Sequence, residues 1–501
     1  MSMLPEVDLA RTISPPPAAR VGSSGTTNRD AVAAIVGRAA EAQVAWSTTS
    51  WNGRKAVLTR WWRILSRDRE LLADLIRDEI GKPRIEAMAG DVIPTLDNLR
   101  WTVHNAGRLL RSERIGPSWQ RFLLIGAARQ VQAPLGVIGI IGTWNYPLFL
   151  NATPIAHALA AGNAVVWKPS ELAAATGRAL QEGLEEAGFP AGLVAAVHGG
   201  PEVGQALIES GIDKGVFTGG VSTGRRVLAS LGERGVPGVA ELSGFDAAIV
   251  LPDAPRASTV RALTWAAFVG CGQTCVAVKR VFVVGDPRPW ADEIAAAARA
   301  LRVGDPTRED TDVGPMINAA ARERFHRMIE AGVASGARVL AGGEPLGGPG
   351  AFYPPTVLLA ETRAAEAALA GAFGPLLLVR GVASPAEAVA AANASDYALG
   401  ASVWGRDRRA AREVARHLKV GSVSLNDAVT PAAHAGAPFG GFKASGFGRT
   451  HGAAGLREFV QPIAVFERPA GGFRPQLYPY GRSRMVERML ALYCRMFHPK
   501  S

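Results

Sequence analysis

Apolar positions in the first part of the chain recur at helical spacing. Val32, Ala33, Ile35 and Val36, then Leu58, Trp61, Trp62 and Leu65, predict helices from 28 to about 110. Ahead of them, residues 1–27 are rich in Pro, Ser, Gly and Thr and read as an irregular segment. Residues 122–131 predict a hairpin turning at Gly126. The pattern then changes to short apolar runs separated by helix-length segments. Strands are predicted at 137–141, 164–167, 193–197 and 215–217, with helices after Pro147, after Ser170-Glu171 and from about Ser222. A second set follows: strand 247–250, a helix over 258–268, strand 276–284, helices at 290–301 and 318–335, and an end near 423–425. This alternation predicts an α/β fold of two doubly wound parallel sheets, with ligands at the carboxyl ends of the strands.

Composition narrows the function classes. A chain of 501 residues allows two or three domains. Its 55 basic and 44 acidic residues give a net charge of +11. The arginines are dispersed, few aromatics interleave with them and no nucleic-acid motif occurs, so a nucleic-acid partner is excluded. Three cysteines make no disulfide framework, which fits a reducing compartment. Cys271 and Cys275 have no second ligand pair, so no metal site is expected. The start of the chain lacks the pattern of a signal peptide, and no apolar run reaches the roughly 18 residues of a membrane span. A cytoplasmic protein is expected, peripheral at the membrane if its tail binds there.

Three residues carry chemistry. Cys275 ends Gly272-Gln273-Thr274-Cys275, Glu241 opens Glu241-Leu242-Ser243-Gly244, and Asn145 lies in Gly142-Thr143-Trp144-Asn145-Tyr146-Pro147. A thiol, a carboxylate and an amide donor are the parts that turn an aldehyde into an acid through a thioester. No Gly-x-Gly-x-x-Gly follows a strand; Gly219 to Gly224 is the only comparable turn. Further motifs stand in order: Trp167-Lys168-Pro169-Ser170-Glu171, Phe217-Thr218-Gly219, Phe373-Gly374-Pro375 and Pro438-Phe439-Gly440-Gly441-Phe442-Lys443-Ala444-Ser445-Gly446-Phe447-Gly448-Arg449.

Together these motifs resemble the aldehyde dehydrogenase superfamily, of the NAD(P)-dependent, non-acylating type, over roughly residues 28–468. The resemblance implies a cofactor-binding domain at 28–243 with an oligomerisation hairpin near 116–134. It implies a catalytic domain at 244–445 and a return segment with an oligomerisation strand at 446–468. It makes Cys275 the nucleophile, Asn145 the oxyanion donor with the Cys275 N–H, and Glu241 the base that activates water. Cys271 is the lesser candidate nucleophile. Thr143, Trp144, Lys168, Ser170, Glu171, Gly219, Gly220, Gly224, Leu242 and Phe373 would hold NAD; Glu171 disfavours a 2′-phosphate, and NADP is the alternative. Tyr146, Thr274 and Phe439 would line the substrate pocket, whose aromatic character favours an apolar or aromatic aldehyde. Lys443 and Arg449 read as structural. A homo-oligomer, dimer or tetramer, is implied.

The sequence departs from the family at Gly371, where a ribose-binding glutamate usually stands. Restoring it by Gly371→Glu is expected to tighten NAD binding by about 1 kcal/mol. Thr450 and Pro154 replace a Glu–Lys pair together, which avoids an unpaired buried charge. A CoA-acylating semialdehyde dehydrogenase is an alternative, but such enzymes lack the base at the Glu241 position. A catalytically weak scaffold is the other, resting on Gly371 alone. Beyond the family's usual end, residues 469–501 carry six basic residues and one acid. Met485, Val486, Met489, Leu490, Leu492, Tyr493, Met496 and Phe497 recur there at helical spacing. This basic amphipathic helix either docks on the protein or lies on a membrane surface.

Overall fold

The computed structural model describes residues 26–115, 128–467 and 484–498, with 470 and 478 singly. The predicted helical region breaks where local chemistry demands. Asn28 caps the Arg29–Thr48 helix by accepting from the Ala31 N–H at 2.8 Å. Ser50 caps Trp51–Arg67 in the same way. Arg69–Ile80 ends on left-handed Gly81, and Pro83 stops it continuing. The chain restarts at Arg84–Ala87, passes through one π-helical turn at Met88–Val92 and runs on as Ile93–Leu109. These helices bury Leu58, Trp61, Leu65, Leu72 and Leu99 against the first sheet.

That sheet has six strands in the order Gly446–Phe447, Gly238–Leu242, Lys214–Gly219, Val137–Ile141, Ala164–Lys168, Val194–Ala196. Gly446–Phe447 pairs antiparallel and the other five run parallel. Val137–Ile141 is the first of the five in the chain and the third in space. Successive strands are laid to one side of it and then to the other, so a crevice opens at its carboxyl end. The second sheet has seven strands: Ala337–Ala341, Thr356–Ala360, Leu376–Val382, Val278–Val284, Asp246–Val250, Gly400–Trp404, Ser422–Leu425. All are parallel except the first. The sequence reading named only three of these. Thr356–Ala360 and Leu376–Val382 are near-continuous apolar runs, and periodicity cannot separate such a run from a buried helix.

A third sheet joins Glu113–Arg114, Ala128–Pro134 and Val460–Phe466, all antiparallel. Ala128–Pro134 contains the end of the predicted hairpin; the turn at Gly126 lies outside the described residues. The predicted irregular start (1–27) also falls almost wholly outside them.

Asn163 ties the first and third sheets together. Its Oδ1 accepts from Leu135 N (2.6 Å) and Gly136 N (3.0 Å), and its Nδ2 donates to Ala158 O (3.1 Å) and Phe459 O (2.8 Å). The side chain is fully buried. Asn163→Ala removes the side-chain bonds to Leu135 N, Gly136 N and Phe459 O, while Ala158 O keeps the Asn163 backbone N–H at 3.0 Å, and is expected to cost about 3 kcal/mol. Asn163→Asp keeps the acceptor but sets a second oxygen against the Phe459 carbonyl in a buried site, and should cost at least as much. Chemical denaturation of the two variants against the parent checks the order.

Candidate active site

The two large sheets meet where Gly238–Leu242 passes through Ser243, Gly244 and Phe245 into Asp246–Val250. Gly244 has no room for a side chain: a Cβ there would run into the Cys275 carbonyl. The loop before Cys275 is unusual backbone. Gly270, Cys271 and Gly272 all have positive φ, at 62°, 53° and 63°. A run of left-handed residues persists only when its surroundings hold it. Here they do. Half-buried Glu86 accepts from the Gly270 N–H at 2.9 Å. The buried Lys279 Nζ donates to Gly272 O (2.7 Å) and Gly374 O (2.6 Å).

Asn145 reaches the same loop from the end of Val137–Ile141. Its Oδ1 accepts from the Thr143 hydroxyl at 2.9 Å, which turns the amide nitrogen outward. That nitrogen donates to Gln273 O at 3.1 Å, two residues before Cys275. Tyr146 Oη and Thr274 Oγ1 lie 2.7 Å apart. Cys275, Tyr146, Thr274 and Phe439 line one cavity of about 360 Å³. Asn145 and Glu241 are not among its lining residues. Glu241, next to last in its strand, pairs opposite Gly446. Its carboxyl lies against Gly440, where a Cβ would sit 2.9 Å from Oε1. Among the described residues neither carboxyl oxygen has a hydrogen-bond partner.

Burial sets the protonation of these groups. It pushes Glu241 well above the usual carboxylate range, more than the nearby Arg449 charge lowers it. Cys275 is pushed up to about 12, first by desolvation and then by the Asp246 and Glu241 carboxyls. Cys271, fully buried, also rises to about 12. At neutral pH both are thiols.

The residues expected to hold a cofactor gather at the crevice of the first sheet. Gly219 ends its strand and Gly220 caps the Val221–Glu233 helix. Nothing lies within 4 Å of a Cβ built on Gly220, so a ligand's phosphates can approach the backbone at a helix N-terminus. Gly224 packs on Leu242, where a side chain would collide. Trp144 meets Phe373 edge to face at 5.9 Å. Lys168 is buried and donates to Glu171 Oε2 (3.0 Å), Gly199 O (2.8 Å) and Pro169 O (3.1 Å), while Ser170 caps the turn that follows. The residues present therefore fit a dinucleotide. Lys443 and Arg449 hold backbone carbonyls, of Asn393 and Ser395 and of Gly441 and Gly448.

Gly371 corrects one expectation. It has φ +81°, and a Cβ on it would collide with the Tyr397 hydroxyl. Restoring a glutamate there is blocked by both backbone and neighbour.

Several pocket residues escaped the sequence reading. Lys82 is buried with Nζ 3.3 Å from the Tyr146 ring centre and 3.8 Å from Asp91 Oδ2. Desolvation lowers its pKa and raises that of Glu86 to about 7. Ala89 and Gly90, in the π-helical turn, line the cavity wall. His451, stacked on Phe439 at 5.5 Å and tilted on Phe149 at 4.8 Å, lines it too. Burial lowers His451 to about 3, so it stays neutral. Ile85 and Trp265 line the cavity while remaining 74% and 47% exposed, which carries its apolar wall out to the surface. The π-helical turn, a frequent mark of functional sites, was the available signal and cannot be read from period alone.

Comparison with known proteins agrees with this geometry. The sequence model described as the Aldehyde dehydrogenase family matches residues 6–465. A 4,4'-diapolycopene aldehyde oxidase of Methylomonas sp is 36% identical over 82% of this chain and 77% of its own. A succinate-semialdehyde dehydrogenase of Paenarthrobacter nicotinovorans is 33% identical over 87% of this chain and 96% of its own. Among solved structures, the NAD+ complex of an aldehyde dehydrogenase from Bacillus cereus superposes with a TM-score of 0.84 at 30% identity. It covers 88% of this chain and 90% of that one.

Two outcomes follow from the geometry. A carboxyl whose folded pKa lies above its unfolded value of about 4.3 destabilises the fold progressively as pH rises between the two. Glu241→Gln should therefore match the parent near pH 4 and melt a few degrees higher in neutral and alkaline buffer, as thermal scans across pH will read. Gly371→Glu should lower the melting temperature and weaken dinucleotide binding, measured by fluorescence titration.

Proposed function

The chain belongs to the aldehyde dehydrogenase family, and from that premise we propose that it oxidises an apolar or aromatic aldehyde to the acid through a thioester on Cys275. The carrying observation is the Cys275 loop. It is pinned by Lys279 and Glu86, met by the Asn145 amide, and opens on a mostly apolar cavity.

In this reading the Cys275 thiol first gives its proton to a hydroxide entering by the open cavity, and the thiolate attacks the aldehyde carbon. Charge develops on the former carbonyl oxygen, and the Asn145 Nδ2–H and the Cys275 backbone N–H stabilise it. One such donor contributes roughly 3 kcal/mol to the transition state. NAD(P), when bound, supplies the hydride acceptor that makes the oxidation to a thioester possible. Gly219, Gly220, Gly224, Leu242, Lys168 and Trp144 would hold it. Glu241 then takes a proton from water, the hydroxide adds to the thioester carbon, and the carbon–sulfur bond breaks to release the carboxylic acid. The Cys275 sulfur leaves as thiolate. Desolvation tunes Glu241 for this step by making its carboxylate a stronger base.

The relatives' names run from a polyene aldehyde to an anionic semialdehyde, so the pocket must decide. Tyr146, Phe149, Leu150, Trp265, Val269 and Phe439 dominate the lining. Lys82 shares the lining but already faces Asp91 at 3.8 Å, and Glu86 lines the cavity too, so a free carboxylate would compete with two acids for one cation while losing its hydration. NAD is favoured over NADP by Glu171, which would repel a 2′-phosphate. A homo-oligomer is supported by the Val460–Phe466 strand, whose outer edge is unpaired among the described residues and whose Ile463, Val465 and Phe466 are exposed.

NADH formation across an aldehyde panel tests the reading. Aromatic and long-chain aldehydes should exceed an anionic semialdehyde in kcat/KM by about tenfold or more. Cys275→Ala should abolish turnover with the fold intact. Glu241→Gln should keep a pre-steady-state NADH burst while its steady-state rate falls. Normal turnover by Cys275→Ala, or an equal loss of burst and steady state, defeats the assigned roles.

A further inference from the structure

The Arg484–Phe497 helix stands apart from every core described above: Val486 is its one buried residue. Met489, Leu490 and Tyr493 are half-buried, while Met485, Leu492, Met496 and Phe497 stay in solvent at 52%, 51%, 51% and 63% exposure. At about 100° per residue, Met485, Met489, Leu492 and Met496 (i, i+4, i+7, i+11) form one stripe. Arg484, Arg488 and Arg495 form a second stripe beside it. Each arginine directly precedes a member of the apolar stripe, so a guanidinium flanks the apolar row along most of the roughly 21 Å length of the helix. The one acid on the helix is Glu487.

We propose that this helix seats on an anionic lipid surface, with the methionine–leucine stripe at acyl depth and the arginines on lipid phosphates. Charge complementarity selects this occupant. A second copy of the helix would bring three arginines against three with a single acid on each side, and that juxtaposition repels. A lipid phosphate layer supplies what the arginines lack, and guanidinium binds phosphate bidentately. Arginine also extends its charge to the headgroups while its stem stays on the apolar row. The basic residues Arg474, Arg482 and Lys500 in the surrounding sequence add to the same attraction. Among the described residues no helix is long and apolar enough to cross a membrane, so the contact is with the surface. One short helix with electrostatic help binds reversibly. The apolar cavity mouth at Ile85 and Trp265 suits an aldehyde delivered from such a surface. The docking claim itself does not depend on the catalytic reading.

The test is co-sedimentation of the full chain with phosphatidylcholine vesicles, with and without phosphatidylglycerol. Full-length Leu492→Glu/Met496→Glu and Arg488→Glu/Arg495→Glu are run beside it. Both pairs change exposed positions outside the catalytic machinery, so NADH formation from a water-soluble aldehyde should stay at the parent level. The parent should pellet with the anionic vesicles alone and be released by high salt. Each double variant should lose binding by about tenfold or more. Parent protein that ignores anionic vesicles overturns the proposal, as does equal pelleting of parent and variants. A shift in oligomeric state on light scattering by the apolar variant, without vesicle binding by the parent, assigns the face to a second copy and also overturns it. Vesicle binding is read without turnover, so a failed catalytic reading leaves this result standing and distinguishable.

Discussion

The site rests on one buried cation. Lys279 lies 1% exposed at the head of a strand of the second sheet, and its ammonium joins the carbonyls of Gly272 and Gly374. Burial brings its pKa down to about 7, so the two carbonyl bonds form where charge is poorly solvated and interactions are strong. Without that grip, three successive left-handed residues would relax toward ordinary backbone. The position of the Cys275 sulfur and the direction of its N–H both follow from that backbone. Gly272 needs its missing side chain for the same reason, since a Cβ would meet the Gly374 carbonyl. Phe373, beside Gly374, touches Trp144, which neighbours Asn145. One lysine thus connects the Cys275 loop, the crevice and Asn145.

Desolvation has two faces in this molecule. It strengthens each hydrogen bond in the site and makes Glu241 and Cys275 reluctant to ionise. Asp246, another buried carboxyl, is raised to about 7 although it accepts from the Gly400 N–H at 3.0 Å. The fold carries these groups against its own stability. Compensation comes from well-satisfied polar residues elsewhere, such as Asn163 with its four bonds and Arg280 paired with Glu366 at 2.8 Å.

How much of this was legible in the sequence follows from what each residue depends on. Asn145, Tyr146 and Cys275 sit in short motifs close to strands, and the family resemblance carried by those motifs is what pointed to them. The alternation of runs showed four of the six strands of the first sheet and missed Gly238–Leu242 and Gly446–Phe447. The second sheet was harder, because strands buried on both faces lose their alternation. Lys82, Trp265 and His451 were missed because they come from three distant stretches and meet only through packing. Gly371 was misread for a related reason: its identity answers to the Tyr397 hydroxyl, which lies far from it in local pattern. The tail helix was visible by period, but its exposure was not.

The Val460–Phe466 strand has a wider consequence. It begins beside Phe459, whose carbonyl Asn163 holds, and among the described residues pairs on one side, with Ala128–Pro134. A strand so anchored and so open couples the interior of one subunit to whatever completes its edge. Completion by another copy makes folding a reaction of second order in protein. The apparent melting point then becomes a property of the solution as well as of the molecule, falling on dilution by mass action. The core around Asn163 would sense its neighbours without touching them.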